Sequence, residues 1–258
     1  MDHILYEKKG KIAYITLNRP EKLNALGLQA TKELIEIWKN FRDDSKVWVG
    51  ILSGKGKSFC PGADVGAMRI DKDNKWTIDD SLILGKYPIG PYNYRVWKPL
   101  IGAVHRHVLG LGFYLALQCD FRIASEDAQF GMPEPMVGIP TLFAHLIRDY
   151  LPHGYALEML LLAKRINAQK AYEMGLVKKV VKPEKLMSTA QELAEKLCEK
   201  GPLSLRAIKE VYYRSRDIDN HSALALVEHV LGPVMNSEDA AEGKKAFMEK
   251  RKAIWKGK

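Results

Sequence analysis

The 258-residue chain predicts an α/β fold. Two observations carry the prediction. The first two thirds repeat an order of strand, strand and helix, and the last part reads as helix almost throughout. Residues 11–17 alternate toward a strand that ends at Asn18-Arg19-Pro20. Ala30, Leu34, Ile37 and Phe41 recur at helical spacing and mark one buried face. Val47 to Leu52 is a short apolar run, read as a buried strand, and leads through Ser53-Gly54-Lys55-Gly56-Lys57 into a glycine-bearing turn. Residues 66–95 are irregular. Pro99 to Val104 is the next strand, followed by a second glycine-bearing turn and a helix over 112–118. Phe121 to Ala124 and Gln129 to Phe130 are short strands. Ala168 to Met174 is a short helix. Met187 to Lys200 is an amphipathic one, stopped by Gly201-Pro202. Residues 203–231 and 237–252 are helical candidates.

A chain of this length buries one sizeable core, or one core and a small appendage. Its 47% hydrophobic and 28% charged residues are ordinary for a soluble globular protein. No apolar run reaches the roughly 18–20 residues that span a bilayer. The first residues, Met1 to Gly10, have neither a secretory apolar region nor transit-peptide character. We therefore expect a cytoplasmic protein with no membrane role. Cys60, Cys119 and Cys198 are far apart, without metal spacing, and read as buried or free thiols in a reducing compartment. The formal charge is +9. Much of the excess sits at the C-terminus, in Lys244, Lys245, Lys250, Arg251, Lys252, Lys256 and Lys258. That cluster is either a solvated helix face or a site for a phosphorylated ligand. Nucleic acid is not expected, because no helix-turn-helix, zinc or aromatic RNA-binding motif accompanies the charge.

Two segments carry the chemistry. Residues 58–65 read Ser-Phe-Cys-Pro-Gly-Ala-Asp-Val, and residues 107–120 read His-Val-Leu-Gly-Leu-Gly-Phe-Tyr-Leu-Ala-Leu-Gln-Cys-Asp. Each is a glycine turn that leaves an apolar stretch and enters a helix. Such turns leave backbone N–H groups pointing outward. Two of them brought together hold a developing oxyanion. Downstream, Phe130-Gly131-Met132-Pro133-Glu134-Pro135 places a carboxylate between two prolines. Pro135 biases Glu134 toward extended torsions. Phe130, Met132, Pro133, Met136 and Val137 are expected to raise its pKa by desolvation.

These segments, in this order, resemble the crotonase (enoyl-CoA hydratase/isomerase) superfamily. So do residues 10–20, Leu23-Asn24-Ala25-Leu26, and the tail Ala246-Phe247-Met248-Glu249-Lys250-Arg251-Lys252. The resemblance implies a crotonase-like spiral of ββα repeats over residues 1–200, holding the CoA site. A C-terminal α-helical trimerisation domain would occupy 201–258. The implied assembly is a homotrimer or a dimer of trimers, and the implied substrate an acyl-CoA thioester. No metal and no cofactor beyond the CoA moiety is expected. The oxyanion donors would be the backbone N–H groups of Ala63 and Leu111, with Leu111 standing where the family usually has glycine.

By the same resemblance, Glu134 matches one of two glutamates of typical hydratases. Tyr114 stands where the other would be. A phenol with a pKa near 10 is a poor general base at pH 7, so Tyr114 either positions a water or only walls the pocket. One carboxylate suffices for a 1,3-proton shift, which favours isomerisation; the family's usual reaction favours hydration. Other crotonase chemistry (thioester or C–C hydrolysis, decarboxylation) and a catalytically weakened CoA-binding subunit are the alternatives. CoA contacts carry over to Lys22, Ala25, Asp64, Val65, Gly66, Phe247 and Lys250, the last two commonly reaching a neighbouring subunit. His145, on an apolar stretch, is expected to be packed rather than catalytic.

Overall fold

The computed structural model describes residues 2–64, 89–141 and 143–258. In chain order the strands are β1 (Ile4–Lys9), β2 (Ile12–Leu17), β3 (Val49–Gly54), β4 (Leu100–Val104), β5 (His107–Leu109), β6 (Phe121–Ser125), β7 (Gln129–Gly131), β8 (Ile166–Asn167) and β9 (Lys179–Val181). The helices are α1 (Leu28–Asp43), α2 (Gly110–Leu117), α3 (Ala144–Ile147), α4 (His153–Leu161), α5 (Ala168–Glu173), α6 (Leu186–Cys198), α7 (Pro202–Arg214), α8 (Asn220–Met235) and α9 (Glu238–Met248).

One six-stranded sheet runs in the order β1-β2-β3-β4-β6-β9. Only the β1–β2 hairpin in it is antiparallel; β2, β3, β4, β6 and β9 are parallel in sequence. A three-stranded sheet, β5-β7-β8, lies beside it. β4 in the large sheet is followed by β5 in the small one, and β6 by β7 in the same way. The repeated strand pair is thus one strand in each sheet.

Alternation along the large sheet divides the core. Ala13, Ile15, Leu17, Leu52, Leu100 and Val104 face α1 and α2. Ile12, Val49, Ile51, Ile101, Ala103 and Ile123 face α6. Burial on both faces explains why the central strands read as unbroken apolar runs. Helix α1 buries the expected Ala30, Leu34, Ile37 and Phe41, with Trp38. Each large side chain so buried stabilises the fold by about 1.5–3 kcal/mol. The buried Lys98 closes the end of α1, its Nζ donating to the carbonyls of Phe41 and Asp44. Desolvation pushes that amine down to about 8.

The structure departs from the sequence reading in several places. Residues 203–231 form two helices, not one. Asp219 caps the second, accepting from His221 N at 2.9 Å and Ser222 N at 3.1 Å. Strands β1, β5, β8 and β9 and helices α3 and α4 add elements where the periodicity showed none. Of the stretch 66–95, residues 66–88 lie outside the described residues, and Pro91–Tyr94 is a 3-10 turn. Cys60, Cys119 and Cys198 are free, the first two buried.

The C-terminal residues fold back. Buried Asp239 accepts from Lys256 N at 2.7 Å and Gly257 N at 2.9 Å. Trp255 packs into the α6 side of the core and donates from Nε1 to Glu199 O at 2.8 Å. Among the described residues no helix is long and apolar enough to cross a membrane.

Candidate active site

Backbone pairing joins the two glycine turns. Cys60 N donates to His107 O at 2.9 Å, and Leu109 N donates to Cys60 O at 3.1 Å. This parallel bridge lays residues 59–60 along β5. A second bridge pairs Ala63 with Leu26: Leu26 N donates to Gly62 O, and Asp64 N to Leu26 O, both at 2.9 Å. Those bonds use the groups flanking Ala63. Its own N–H therefore points to the opposite side, away from Leu26. Leu111 is the second residue of α2, and the first four N–H groups of a helix have no partner within it. The helix dipole adds partial positive charge there.

Glycine is required where the turns meet. Gly62 has φ 121° and Gly110 φ 50°, both left-handed. A side chain on Gly62 would begin 3.3 Å from Leu109 O and 3.5 Å from Leu111 N, so the two backbones touch. At Gly112 a side chain would begin 2.6 Å from Cys60 Cβ and closer still to its carbonyl oxygen. Only glycine lets α2 rest directly on the first turn. The Cys60 thiol inside this seam is pushed up to about 12 by burial, and so stays protonated.

Glu134 reaches the same seam. A side chain on Gly110 would begin 2.8 Å from Glu134 Oε1. Glu134 Oε2 is buried without a hydrogen-bond partner among the described residues. Burial raises the Glu134 pKa above the usual carboxylate range, partly offset by a hydrogen bond from its own backbone N–H. The physical source differs from the expected one. Phe130 and Met132 are buried, but Met136 is 74% and Val137 67% exposed, so those two do not desolvate it. Nor is Glu134 extended. It opens a 3-10 turn, Glu134–Val137, closed by Met136 N donating to Pro133 O at 3.0 Å. That closing bond fixes the backbone that Pro135 alone would have left extended.

Tyr114 stands one turn along α2 from Leu111. Its ring packs on Phe143 with centroids 4.9 Å apart, and its hydroxyl bonds the Asn93 side chain. Desolvation raises its pKa further, so it stays neutral. Leu111 and Tyr114 line a cavity of about 460 Å³ reaching α3 and α7. Glu134 is not among its lining residues. His145, expected to be packed, is exposed and lines this cavity from α3. The reason is that the apolar stretch turns into a single helical turn whose buried member is Ile147.

The expected CoA residues divide. Arg19 Nη1 donates to Ala25 O at 3.0 Å and to Asp64 Oδ2 at 3.1 Å, bringing Ala25 and Asp64 together. Exposed Lys22 ends the neighbouring 3-10 turn Pro20–Lys22. Val65 and Gly66 lie outside the described residues. Phe247 is 86% exposed on α9, and Lys250 follows it at φ 51°. Both belong to the segment anchored through Trp255 on the α6 side of the large sheet, whereas the glycine turns pack on its other side. Part of the tail's charge is already matched: Arg251 pairs with Glu242 and Glu249, and Lys256 with Glu238. Among the described residues no cluster of His, Cys, Asp or Glu suits a metal ion.

Two residues were not assigned roles by the sequence. One is Arg19, just described. The other is Asn24, buried at φ 68°, which accepts from Arg19 N at 2.8 Å and donates to Lys55 O at 2.9 Å and Ser58 O at 2.7 Å. It ties the Pro20–Lys22 turn to the entrance of the first glycine turn. The run Asn18-Arg19-Pro20 followed by Asn24 was the available signal, visible only with the contacts in hand.

A mostly parallel sheet with a second short sheet beside it, and a carboxyl at the seam of two abutting glycine turns, describe an α/β protein with one candidate site. The sequence model of the family described as "Enoyl-CoA hydratase/isomerase" matches residues 7–258. The chain belongs to that family and is a hydratase/isomerase-type enzyme. It is 35% identical over 258 residues to the short-chain-enoyl-CoA hydratase of Clostridium acetobutylicum, covering 98% of this chain and 97% of the relative. It is also 35% identical over 260 residues to (E)-benzylidenesuccinyl-CoA hydratase of Thauera aromatica, covering 98% and 99%. The crystal structure of an enoyl-CoA hydratase/isomerase from Mycobacterium paratuberculosis superposes with a TM-score of 0.89 at 33% identity, over 100% of this chain and 99% of that one.

Proposed function

We propose that the protein moves a proton on an enoyl-CoA thioester, with Glu134 as acid/base and the N–H groups of Ala63 and Leu111 as the oxyanion hole. The observation that carries this reading is the unpartnered Oε2 of Glu134 beside Gly110, at the seam of the two turns. In hydration, Glu134 takes a proton from water as the water oxygen bonds the β-carbon. The double-bond electrons move onto the thioester oxygen, where the two N–H groups hold the charge. Glu134 then returns the proton to the α-carbon as the carbonyl re-forms. One carboxyl completes the cycle.

Hydration is the reaction named for the relatives above, and we take it as the main activity. Isomerisation is the second reading, favoured by Tyr114, a neutral phenol where a second carboxylate would help hold water. There Glu134 removes the α-proton of a 3-enoyl thioester and returns it at the γ-carbon. Thioester or C–C hydrolysis, decarboxylation, and a weakened CoA-binding role remain the alternatives. The substrate's CoA moiety is the only cofactor this chemistry needs. Its adenine and pantetheine would lie against Lys22, Ala25 and Asp64. Phe247 and Lys250 would come from a neighbouring subunit of a trimer or a dimer of trimers, acting in the cytoplasm. We keep the spiral winding of residues 1–200 and the helical assembly unit 201–258 as part of this reading. Rates on paired 2-enoyl and 3-enoyl thioesters test it. Turnover of neither, with hydrolysis of the thioester instead, would overturn it.

A further inference from the structure

We propose that the acyl group handled here ends in an uncharged aromatic ring, seated in the cavity that opens beyond Leu111. The inference rests on the thioester reading, because Leu111 is what marks where the acyl group begins. The cavity measures about 460 Å³, and its walls include Tyr92, Trp97, Tyr114, Phe143, Tyr150 and Tyr213. These rings already pack on one another. Tyr114 and Phe143 are 4.9 Å apart at 50°, Tyr92 and Trp97 5.4 Å apart at 77°, and Tyr92 and Tyr213 5.8 Å apart at 55°. Tilted and edge-on pairs at such distances are the favoured aromatic geometries, and a further ring extends the set.

Two other acyl types fit the walls less well. A linear alkyl chain would lie across these rings with dispersion contact alone and would not reproduce the tilted and edge-on geometry they adopt with one another. A carboxylate-ended chain would compete with acids already in place: Lys209 is paired with Asp120 at 2.8 Å, Asp149 is shared by Arg216 and, at 3.9 Å, Arg148, and Asp217 also lines the cavity. An aryl group brings no charge, and its faces and edges meet the wall rings in the geometry those rings already adopt.

The test compares thioesters of matched size. Specificity constants are measured for cinnamoyl-CoA, linear 2-nonenoyl-CoA with the same carbon count, glutaconyl-CoA and 2-butenoyl-CoA. Binding of 3-phenylpropanoyl-CoA and nonanoyl-CoA is measured by calorimetry. Cinnamoyl-CoA is expected to exceed 2-nonenoyl-CoA and glutaconyl-CoA by about tenfold or more, and phenylpropanoyl-CoA to bind tighter than nonanoyl-CoA. Tyr92, 43% exposed, is replaceable without opening the core. Tyr92→Leu should lower the cinnamoyl-to-nonenoyl ratio about two- to tenfold, the factor one aromatic pair supplies. A linear or charged thioester equal to or better than the aryl one overturns the inference. Turnover of 2-butenoyl-CoA in that case leaves the thioester reading standing. If no enoyl thioester is turned over, the chemical reading fails, and the two saturated thioesters still decide the cavity's preference.

Discussion

A buried carboxyl with one unpartnered oxygen is costly whenever it is ionised. Glu134 is such a group, and burial raises its folded pKa above the ordinary carboxylate value. The folded protein therefore keeps the proton to higher pH than the unfolded chain does. Stability from this site is fully present below the unfolded pKa and is lost as pH rises through the folded one. Catalysis has the opposite need, because the base works only when ionised. Activity should rise with pH through that same raised pKa. Glu134→Gln separates the two effects. It should cut turnover about 10²–10⁴-fold and raise the melting temperature at neutral pH. Steady-state rates and thermal melts check both, and an unchanged rate would move the base elsewhere. Tyr114 calls for a milder expectation. Its hydroxyl bonds Asn93, and it lines a cavity that Glu134 does not. Tyr114→Phe should keep hydration within severalfold. A loss as large as that of Glu134→Gln would make the phenol a participant.

The turns work because one helix rests on another backbone, and Gly112 is what allows it. A methyl there would meet Cys60. Gly112→Ala is expected to cost about 1–3 kcal/mol by overpacking and to disturb Leu111 N in the same movement. Gly154 is the control. It lies in α4, and a side chain there would begin with nothing within 4 Å, so Gly154→Ala should be neutral or stabilising by about 0.4–1 kcal/mol. Thermal melts of the two variants should shift in opposite directions, and two equal small shifts would show that α2 has slack. How much of this was legible in the sequence depended on element length. Long periodic elements such as α1 and α6, and runs buried on both faces such as β3 and β4, announce themselves by pattern. Strand β5 has three residues and β8 two, too short for any period, and both are held by pairing with distant segments. The site divided in the same way. The glycine turns and Glu134 were readable as local motifs. The backbone of Glu134, the exposure of His145 and the clasp made by Arg19 and Asn24 were not, because each depends on a contact between segments far apart in the chain.

At the scale of the whole molecule the chain has surface that a single copy leaves uncovered. Helix α8 has no buried residue, and Leu224 on it is 57% and Met235 75% exposed. On neighbouring α7, Ile208 is 58% and Tyr212 68% exposed. Phe247, at 86%, is exposed on α9, whose following tail docks on the far side of the large sheet from the glycine turns. An assembly that covers α7 and α8 and brings each tail to a neighbour's site would account for both facts, and cyclic closure makes the exchange reciprocal. Complementation between two inactive variants tests this directly. Glu134→Gln leaves its own site without a base but carries an intact tail. A Phe247→Ala, Lys250→Ala chain carries an intact Glu134 but a blunted tail. If tails act between subunits, mixed assemblies contain sites with a normal Glu134 and a normal neighbouring tail. Co-expression should then recover activity well above the sum of the separate variants, in a species that sediments as a trimer or a hexamer. Leu224→Asp, which places a charge on the uncovered face, should dissociate the assembly and abolish that recovery. Activity equal to the sum, in a species of the same size, would show that each site is built from one chain alone and that the tail does not reach across.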